Sequence, residues 1–513
     1  MWKGITKWAR RRLLLALAAC CAVAHARVQA APPSNTPPQK GAESVAARLR
    51  RGETITLAVL GDSLAAGFEL ANPARDSYPA LLATLLQRRF PAARVRLVNA
   101  GVPGDTAAGG LARLERDVLA QHPDIMLVQF GGNDWARQRD PNAVRADLEE
   151  VVRRARGNGT EVVVVGTPPI VASSPNTPMV LAAKEAAAAT AAPVADFDGA
   201  IRRYGTGPRG PFPFGRHPPV YLHGVMAKAA YEALAPALGP SLSAAIQPGM
   251  WEVARAPRVP VRVTIQAPGS GPILLTLEQE ETHQELRVEA SATGKATATF
   301  LIPAPASSPG TPPQRLLLTA RRGDAWGCDV RSVSAAPVVA ADGAWNKLDP
   351  AGVVLGREQW RGAEDLSAAF RVVREANCFR VTCKVRDDRV WSNPFFSALH
   401  ESDCVELFLD LRTPAAQARP YWEEGVACYL ISPGGAGDRS VRWQSLEPLP
   451  ADRVAPTPTG RRVEGGYEVE VSLPFSLIHR YGSVGQKSIG FDIAVDDADD
   501  SWGRQSQLVW AGG

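Results

Sequence analysis

Residues 48 to 245 predict an α/β fold in which helices cover both faces of a parallel sheet, and residues 250 to 513 predict smaller all-β sandwiches. Two observations carry the first prediction. Short apolar runs such as Ile55 to Leu60, Ile125 to Phe130 and Val162 to Val165 lack alternation, as strands buried on both faces do. Segments with helical spacing separate them, and a parallel connection needs a crossover of about a dozen residues or more, so the sheet is of the doubly wound, flavodoxin-like kind. The second prediction rests on a change of texture after Pro240, where Thr and Val alternate and Pro and Gly punctuate short runs.

Taken in order, Ile55 to Leu60 is the first strand, and leucines 81, 82, 85 and 86 mark a helix within Tyr78 to Phe90. Val95 to Val98 is the next strand, followed by a helix with Leu111, Leu114 and Val118 on one face. Ile125 to Phe130 is a strand, Val144, Leu148 and Val151 belong to a helix, and Val162 to Val165 is a buried strand. Ala-rich Val180 to Ala192, then Val194 to Phe197, then Met226 to Leu238 complete the alternation. Beyond it, Val259 to Ile265, Ile273 to Leu277, Ala296 to Ile302 and Arg315 to Ala320 suggest a small β-sandwich over 250 to 335, with Pro303 to Pro313 as a long loop. From residue 336 onward Ala368 to Val373, Phe379 to Val385, Val405 to Leu409, Val426 to Ile431, Gly466 to Val471 and Ser488 to Val495 are again strands.

A chain of 513 residues exceeds one hydrophobic core, so several domains are expected. The net charge of +5 is small for this length, and the arginines are scattered along amphipathic segments. No basic stripe interleaved with aromatics suggests a nucleic-acid partner; surface arginines are the plain reading. Residues 1 to 30 have the build of a bacterial export signal: Lys3, Lys7 and Arg10 to Arg12, then apolar Leu13 to Ala24, then small residues at Ala24-His25-Ala26 and Val28-Gln29-Ala30. That run is shorter than the roughly 20 residues of a membrane span. Leu17-Ala18-Ala19-Cys20 also has the form of a lipobox, so a membrane enters only if Cys20 is lipidated. The expected location is secreted, periplasmic or on the outer surface. Residues 31 to 47, rich in Pro, Ser, Asn and Gln, read as a disordered tether. Cys328, Cys378, Cys383, Cys404 and Cys428 have no metal-ligand spacing; a disulfide is open to them, and buried free thiols are the commoner state.

Leu57-Ala58-Val59-Leu60-Gly61-Asp62-Ser63-Leu64 places a serine directly after a buried strand, at the carboxyl edge of the sheet where open α/β folds bind ligands. Asn99-Ala100-Gly101-Val102-Pro103-Gly104-Asp105-Thr106 follows the next strand, and Gly131-Gly132-Asn133-Asp134 the one after. An acyl-transfer site needs several donors converging on one oxygen, which a serine amide, a glycine amide and an asparagine side chain supply. These blocks resemble those of SGNH (GDSL) hydrolases, especially the thioesterase/lysophospholipase and arylesterase branch. The resemblance implies Ser63 as nucleophile and the Ser63 amide, the Gly104 amide and the Asn133 side chain as oxyanion hole. It also implies a catalytic histidine followed by Pro. His217, before Pro218 and at the right distance from Ala227, fits better than its rival His223. The family's Asp three residues earlier is replaced by Phe214 for His217 and by Val220 for His223, which implies a Ser-His dyad. Asp196 and Asp198 are candidates to replace it, with helix capping as the plainer role for both.

In the last region Trp360 to Ala368, Val385-Arg386-Asp387-Asp388, Asp403-Cys404-Val405-Glu406-Leu407-Phe408-Leu409-Asp410, Gly465 to Glu470 and Ile489 to Asp497 resemble a family 9 carbohydrate-binding module and its DOMON-like relatives. That resemblance implies a sugar clamp of two tryptophans. His400 stands near the first position and the chain stops at Trp510-Ala511-Gly512-Gly513 before the second. Trp391 and Trp422, with Phe395 and Phe396, are the replacements to consider. Asp387-Asp388 and Asp496-Asp497 offer oxygen ligands to a structural Ca²⁺, though solvated loop carboxylates are the plainer reading. Catalysis itself calls for no cofactor.

The resemblances together imply a secreted esterase that deacylates, in particular deacetylates, a carbohydrate held by its last domain. A lipid or thioester hydrolase and a non-catalytic glycan-binding protein with a decayed hydrolase domain are the alternatives. The expected partner is a carbohydrate or an acylated small molecule.

Overall fold

The computed structural model describes residues 44 to 510 except 69, 71, 168–176, 206–216, 219, 248–257, 281, 305–313, 334–338, 340, 357–358, 393–398, 400–401, 413–425, 434–440, 446–455, 480–488 and 500–503. The export signal, most of the tether, most of the Pro303 to Pro313 loop, Phe214, His400, Phe395, Phe396 and Trp422 therefore lie outside the described residues.

Five parallel strands, β1 (Thr54–Gly61), β2 (Arg94–Gly101), β3 (Ile125–Gln129), β4 (Glu161–Gly166) and β5 (Val194–Asp196), lie in the order β2-β1-β3-β4-β5. This is the doubly wound arrangement. After β2 the chain returns past β1 to place β3 on its other side, which makes the β1/β3 boundary a topological switch point. Successive side chains of a strand point to opposite faces. Accordingly Ile55, Leu57 and Val59 enter one core with the helices Tyr78–Arg89 and Val220–Leu238, while Ala58 and Leu60 enter the other with Ala107–Asp117, Pro141–Gly157 and Thr177–Thr190.

The middle region pairs β10 (Lys295–Pro303), β7 (Arg258–Gln266) and β6 (Ser243–Ile246) in one sheet. A second sheet holds β12 (Ala325–Val333), β11 (Gln314–Arg322), β8 (Gly271–Gln279) and β9 (Thr282–Ala290), and the two share a core that includes Val261, Leu275, Phe300 and Leu318. Three of these strands went unforeseen. β9 is largely exposed and polar over its first half, with only Leu286, Val288 and Ala290 alternating; β6 is only four residues long; β12 buries Asp329 completely. The helix Val45–Arg50 starts before residue 48 and β6 straddles residue 245, so both ends of the first region differ from the segmentation the sequence suggests.

Leu317, Trp326, Cys328 and Val330 of the middle region belong to the same core cluster as the helix Val220–Leu238. The Trp326 and Tyr231 rings meet edge-on at 4.9 Å, and Lys228 donates to the Ala244 carbonyl at 2.9 Å. A Cβ at Gly224 would lie 2.9 Å from the Val330 carbonyl oxygen, so glycine permits this close approach. Last come a five-stranded antiparallel sheet, β13 (Asp342–Lys347), β15 (Leu366–Arg374), β16 (Cys378–Asp387), β21 (Gly466–Pro474) and β20 (Thr457–Val463), and a six-stranded one. The latter orders β14 (Val353–Leu355), β23 (Ser506–Val509), β22 (Gly490–Asp497), β17 (Cys404–Asp410), β18 (Val426–Ser432) and β19 (Arg442–Ser445) around a joint core with Phe370, Leu407, Tyr467 and Trp510. None of the five described cysteines forms a disulfide.

Candidate active site

Gly61, Gly101 and Gln129 stand level at the carboxyl edge of β1, β2 and β3. Ser63, Gly104 and Asn133 follow within a few residues, so the strand register alone brings the three loops together. A Cβ at Gly61 would lie 2.7 Å from the Ala65 Cβ and 2.9 Å from Gln129 Oε1, which excludes any larger residue before the nucleophile turn. Asp62 caps the helix Ser63–Ala66 by accepting from the Leu64 amide at 2.9 Å. Gly104 has φ 78°, the left-handed region that glycine favours, and a Cβ there would meet nothing within 4 Å.

Arg113 ties these loops from beneath. It donates to the Gly61 carbonyl at 2.9 Å, to the Ala100 carbonyl at 2.7 Å and to Asp105 Oδ2 at 2.7 Å. The buried Asp134 accepts from the Ala107 amide and pairs with Arg139 at 2.6 Å, joining the β3 loop to the helix Ala107–Asp117. Asn133 donates to the Asp105 carbonyl at 3.0 Å, which leaves its second amide hydrogen for a ligand. Two arginines depart from the expected surface placement: Arg113 and Arg89 are both buried, and Arg89 donates to Tyr231 Oη and to the Leu238 and Pro240 carbonyls. Neither Arg113 nor Asp105 stood out in the sequence, because an arginine on an amphipathic helix carries no mark of what it reaches.

His217 Nε2 lies 2.8 Å from Ser63 Oγ. His223 is placed differently. It is buried inside the helix Val220–Leu238, and its Nδ1 accepts from the Tyr78 amide at 3.1 Å, which puts its proton on Nε2. Burial, with the charge of His217 adding to it, lowers the His223 pKa to about 3, so it stays neutral. Val220 opens that helix, and Asp196 and Asp198 are engaged elsewhere. Asp196 accepts from the Gly199 amide at 3.0 Å and pairs with Lys184 at 3.1 Å, while Asp198 pairs with Arg202 at 2.8 Å. Burial pushes Asp62 up to about 7, against the Leu64 amide and Gln129, which favour its charged form. The charge of His217 also favours the Asp62 carboxylate.

In the last domain the acidic pairs split. Oxygens of Asp387, Asp403 and Asp497 lie within 4.8 Å of one another; all three residues are buried, and Asp387 Oδ2 and Asp497 Oδ1 have no hydrogen-bond partner. Among the described residues no arginine or lysine forms an ion pair with this trio, so its donor set fits a hard cation. Asp388 instead joins Asp365 and Asp499 around Arg361, and Asp496 joins Cys404 and Glu406 around Arg504. Guanidinium groups already serve those two clusters. Solvated loop carboxylates is thus the wrong description of Asp387, Asp496 and Asp497, and Asp403 is a member that no acidic pair signalled. Trp391 is half-buried, and its amide donates to Asp403.

The sequence model of the GDSL-like Lipase/Acylhydrolase family matches residues 59–223, and that of the Carbohydrate family 9 binding domain-like family matches residues 339–512. The sheet order, the strand-edge loops and the match over residues 59–223 agree on an SGNH-type fold for the first domain. Residues 59–223 are thus similar to the one family and residues 339–512 to the other. An arylesterase of Vibrio mimicus is 36% identical over 110 residues, 21% of this chain and 52% of the relative. An acetylxylan esterase of Geobacillus stearothermophilus is 43% identical over 63 residues, 12% of this chain and 29% of the relative. The crystal structure of LAE5, an alpha/beta hydrolase enzyme from the metagenome of Lake Arreo, Spain, is 26% identical with a TM-score of 0.32, covering 36% of this chain and 96% of that one. The chain spans about half the length of the first curated relatives it matches.

The two shifted groups beneath the site act on stability with opposite signs. His223, depressed from 6.5 to about 3, contributes stability that is complete above pH 6.5 and lost as pH falls toward 3. Asp62, raised from 3.8 to about 7, makes stability fall as pH rises between those values. His223→Asn, which keeps an acceptor for the Tyr78 amide, isolates the first effect. Urea unfolding from pH 7 to 4 should show the wild type losing up to about 1.4 kcal/mol per pH unit more than the variant; parallel curves would place the His223 titration elsewhere.

Proposed function

We propose that this chain is a serine esterase with Ser63 as nucleophile and His217 as base, and the 2.8 Å approach of His217 Nε2 to Ser63 Oγ is the observation that carries the reading. With Nε2 unprotonated, His217 takes the Ser63 proton as Oγ attacks the ester carbonyl. The Ser63 and Gly104 amides and the Asn133 side chain hold the resulting oxyanion. The ester C–O bond then breaks, His217 returns the proton to the departing alcohol, and water activated by His217 releases the acyl group. No aspartate holds the imidazole from the position the family uses.

The substrate we assign is an acylated, in particular acetylated, carbohydrate, retained by the last domain at high effective concentration. The family 9 match and the acetylxylan esterase among the relatives support this choice. Residues 1–30 would export the chain. A lipid or thioester substrate keeps support from the relative named thioesterase 1/protease 1/lysophospholipase L1 of Escherichia coli. The formed Ser63–His217 contact speaks against a decayed domain.

A fluorophosphonate probe tests the site directly. Wild type and His223→Asn should label, Ser63→Ala should not, and His217→Ala should label at least 100-fold more slowly, in keeping with the roughly 10² to 10⁴ that general base catalysis contributes. Wild type that fails to label under conditions that label a control esterase would sink the reading. Acetylated xylan and long-chain acyl esters compared on the active protein decide between the two substrates.

For the last domain we propose that Asp387, Asp403 and Asp497 hold Ca²⁺, which would neutralise the three carboxylates and tie β16, β17 and β22 together. Calcium added to chelator-treated protein should raise the melting temperature of the wild type and not of Asp497→Asn. An equal shift in both, or none in either, would remove the assignment.

A further inference from the structure

Eight large apolar side chains are exposed among the described residues, and three of them, Phe68, Val102 and Trp135, fall within five residues of Ser63, Gly104 and Asn133 respectively. Singly exposed apolar residues are ordinary, so what distinguishes one here is contact with the site itself. Phe68 is the best placed of the three. Gly67 ends the nucleophile helix with φ 70°, and the Phe68 amide then donates to the Ser63 carbonyl at 3.0 Å. The backbone of Phe68 is therefore held by the same turn that carries Ser63. Its centroid lies 5.0 Å from that of the His217 imidazole at an interplanar angle of 62°, yet 47% of the residue remains open to solvent. Packing against His217 accounts for one edge of the ring and leaves much of the rest uncovered by the described residues.

Resting on the esterase reading, we propose that Phe68 is the platform for the alcohol half of the ester and selects alcohols that present an apolar ring face. The assignment of side follows from the chemistry. When the ester C–O bond breaks, the proton on His217 Nε2 passes to the leaving oxygen, so that oxygen sits beside the imidazole and its substituent extends over the group packed there. Phe68 is that group. Val102 and Trp135 belong to the loops of Gly104 and Asn133, which hold the oxyanion on the other side of the reacting carbon. An aromatic ring offers a pyranose or an aryl group a flat apolar surface and offers a methyl group very little.

Three acetate esters that share the acyl group and differ in alcohol read this out: methyl acetate, phenyl acetate and an acetylated xylo-oligosaccharide. For Phe68→Ala, the kcat/KM for a ring-bearing ester relative to methyl acetate should fall about tenfold, the scale of one aromatic contact, and Phe68→Tyr should restore it. Loss confined to the sugar ester identifies a carbohydrate alcohol, and loss confined to phenyl acetate an aryl one. A ratio unchanged by Phe68→Ala, or a uniform loss on all three esters as expected if the ring only steadies His217, overturns the proposal. Wild type inert toward all three esters and toward the fluorophosphonate fails the esterase reading itself, a result distinct from an active enzyme indifferent to Phe68.

Discussion

Gly61, Gly101 and Gln129 share one level across three adjacent parallel strands, and the rest of the site depends on that register. A slip of one residue in any pair would turn every side chain of the slipped strand to the opposite face and carry its loop out of reach. Hydrophobic burial on both faces of the sheet prevents it. Arg113 adds a polar lock, bonded to the carbonyls at the ends of β1 and β2 and to the Asp105 side chain of the loop holding Gly104. Such a buried guanidinium is costly unless each donor finds an acceptor, so its bonds specify one geometry for the loops.

The same economy of placement runs beneath the nucleophile. Asp62, Gln129, Thr167 and His223 are all buried polar residues, and they support the turn rather than take part in the chemistry. Gln129 donates to Thr167, Thr167 donates to the Phe130 carbonyl, and His223 receives the Tyr78 amide. The helix that carries His223 is held in turn by Trp326, Cys328 and Val330 of the middle sheet. That middle region shares the core of the α/β domain even though the family match ends at residue 223.

Much of this was legible in the sequence, and the exceptions have physical reasons. Strands β1, β3 and β4 announce themselves because burial on both faces demands unbroken apolar runs. Ser63, Gly104 and Asn133 stand out because each follows the carboxyl end of a buried strand, and His217, expected from the family resemblance, lies 2.8 Å from Ser63 Oγ. β9 was not, since an exposed edge strand written Thr-His-Gln-Glu-Leu-Arg-Val-Glu-Ala opens on four polar residues and alternates only over its last five. Arg113 and Asp403 were not, because their roles depend on partners distant in sequence. Phe68 escaped notice because an aromatic residue in a turn acquires meaning only beside His217.

The register of β1, β2 and β3, locked by Arg113, is predicted to present the Ser63 amide, the Gly104 amide and the Asn133 side chain to one oxygen. A crystal structure of the protein phosphonylated at Ser63 tests it most directly. The phosphonyl oxygen should lie about 3 Å from the Ser63 amide, the Gly104 amide and Asn133 Nδ2. An oxygen turned to solvent, with Asn133 and Gly104 on other partners, would contradict the account.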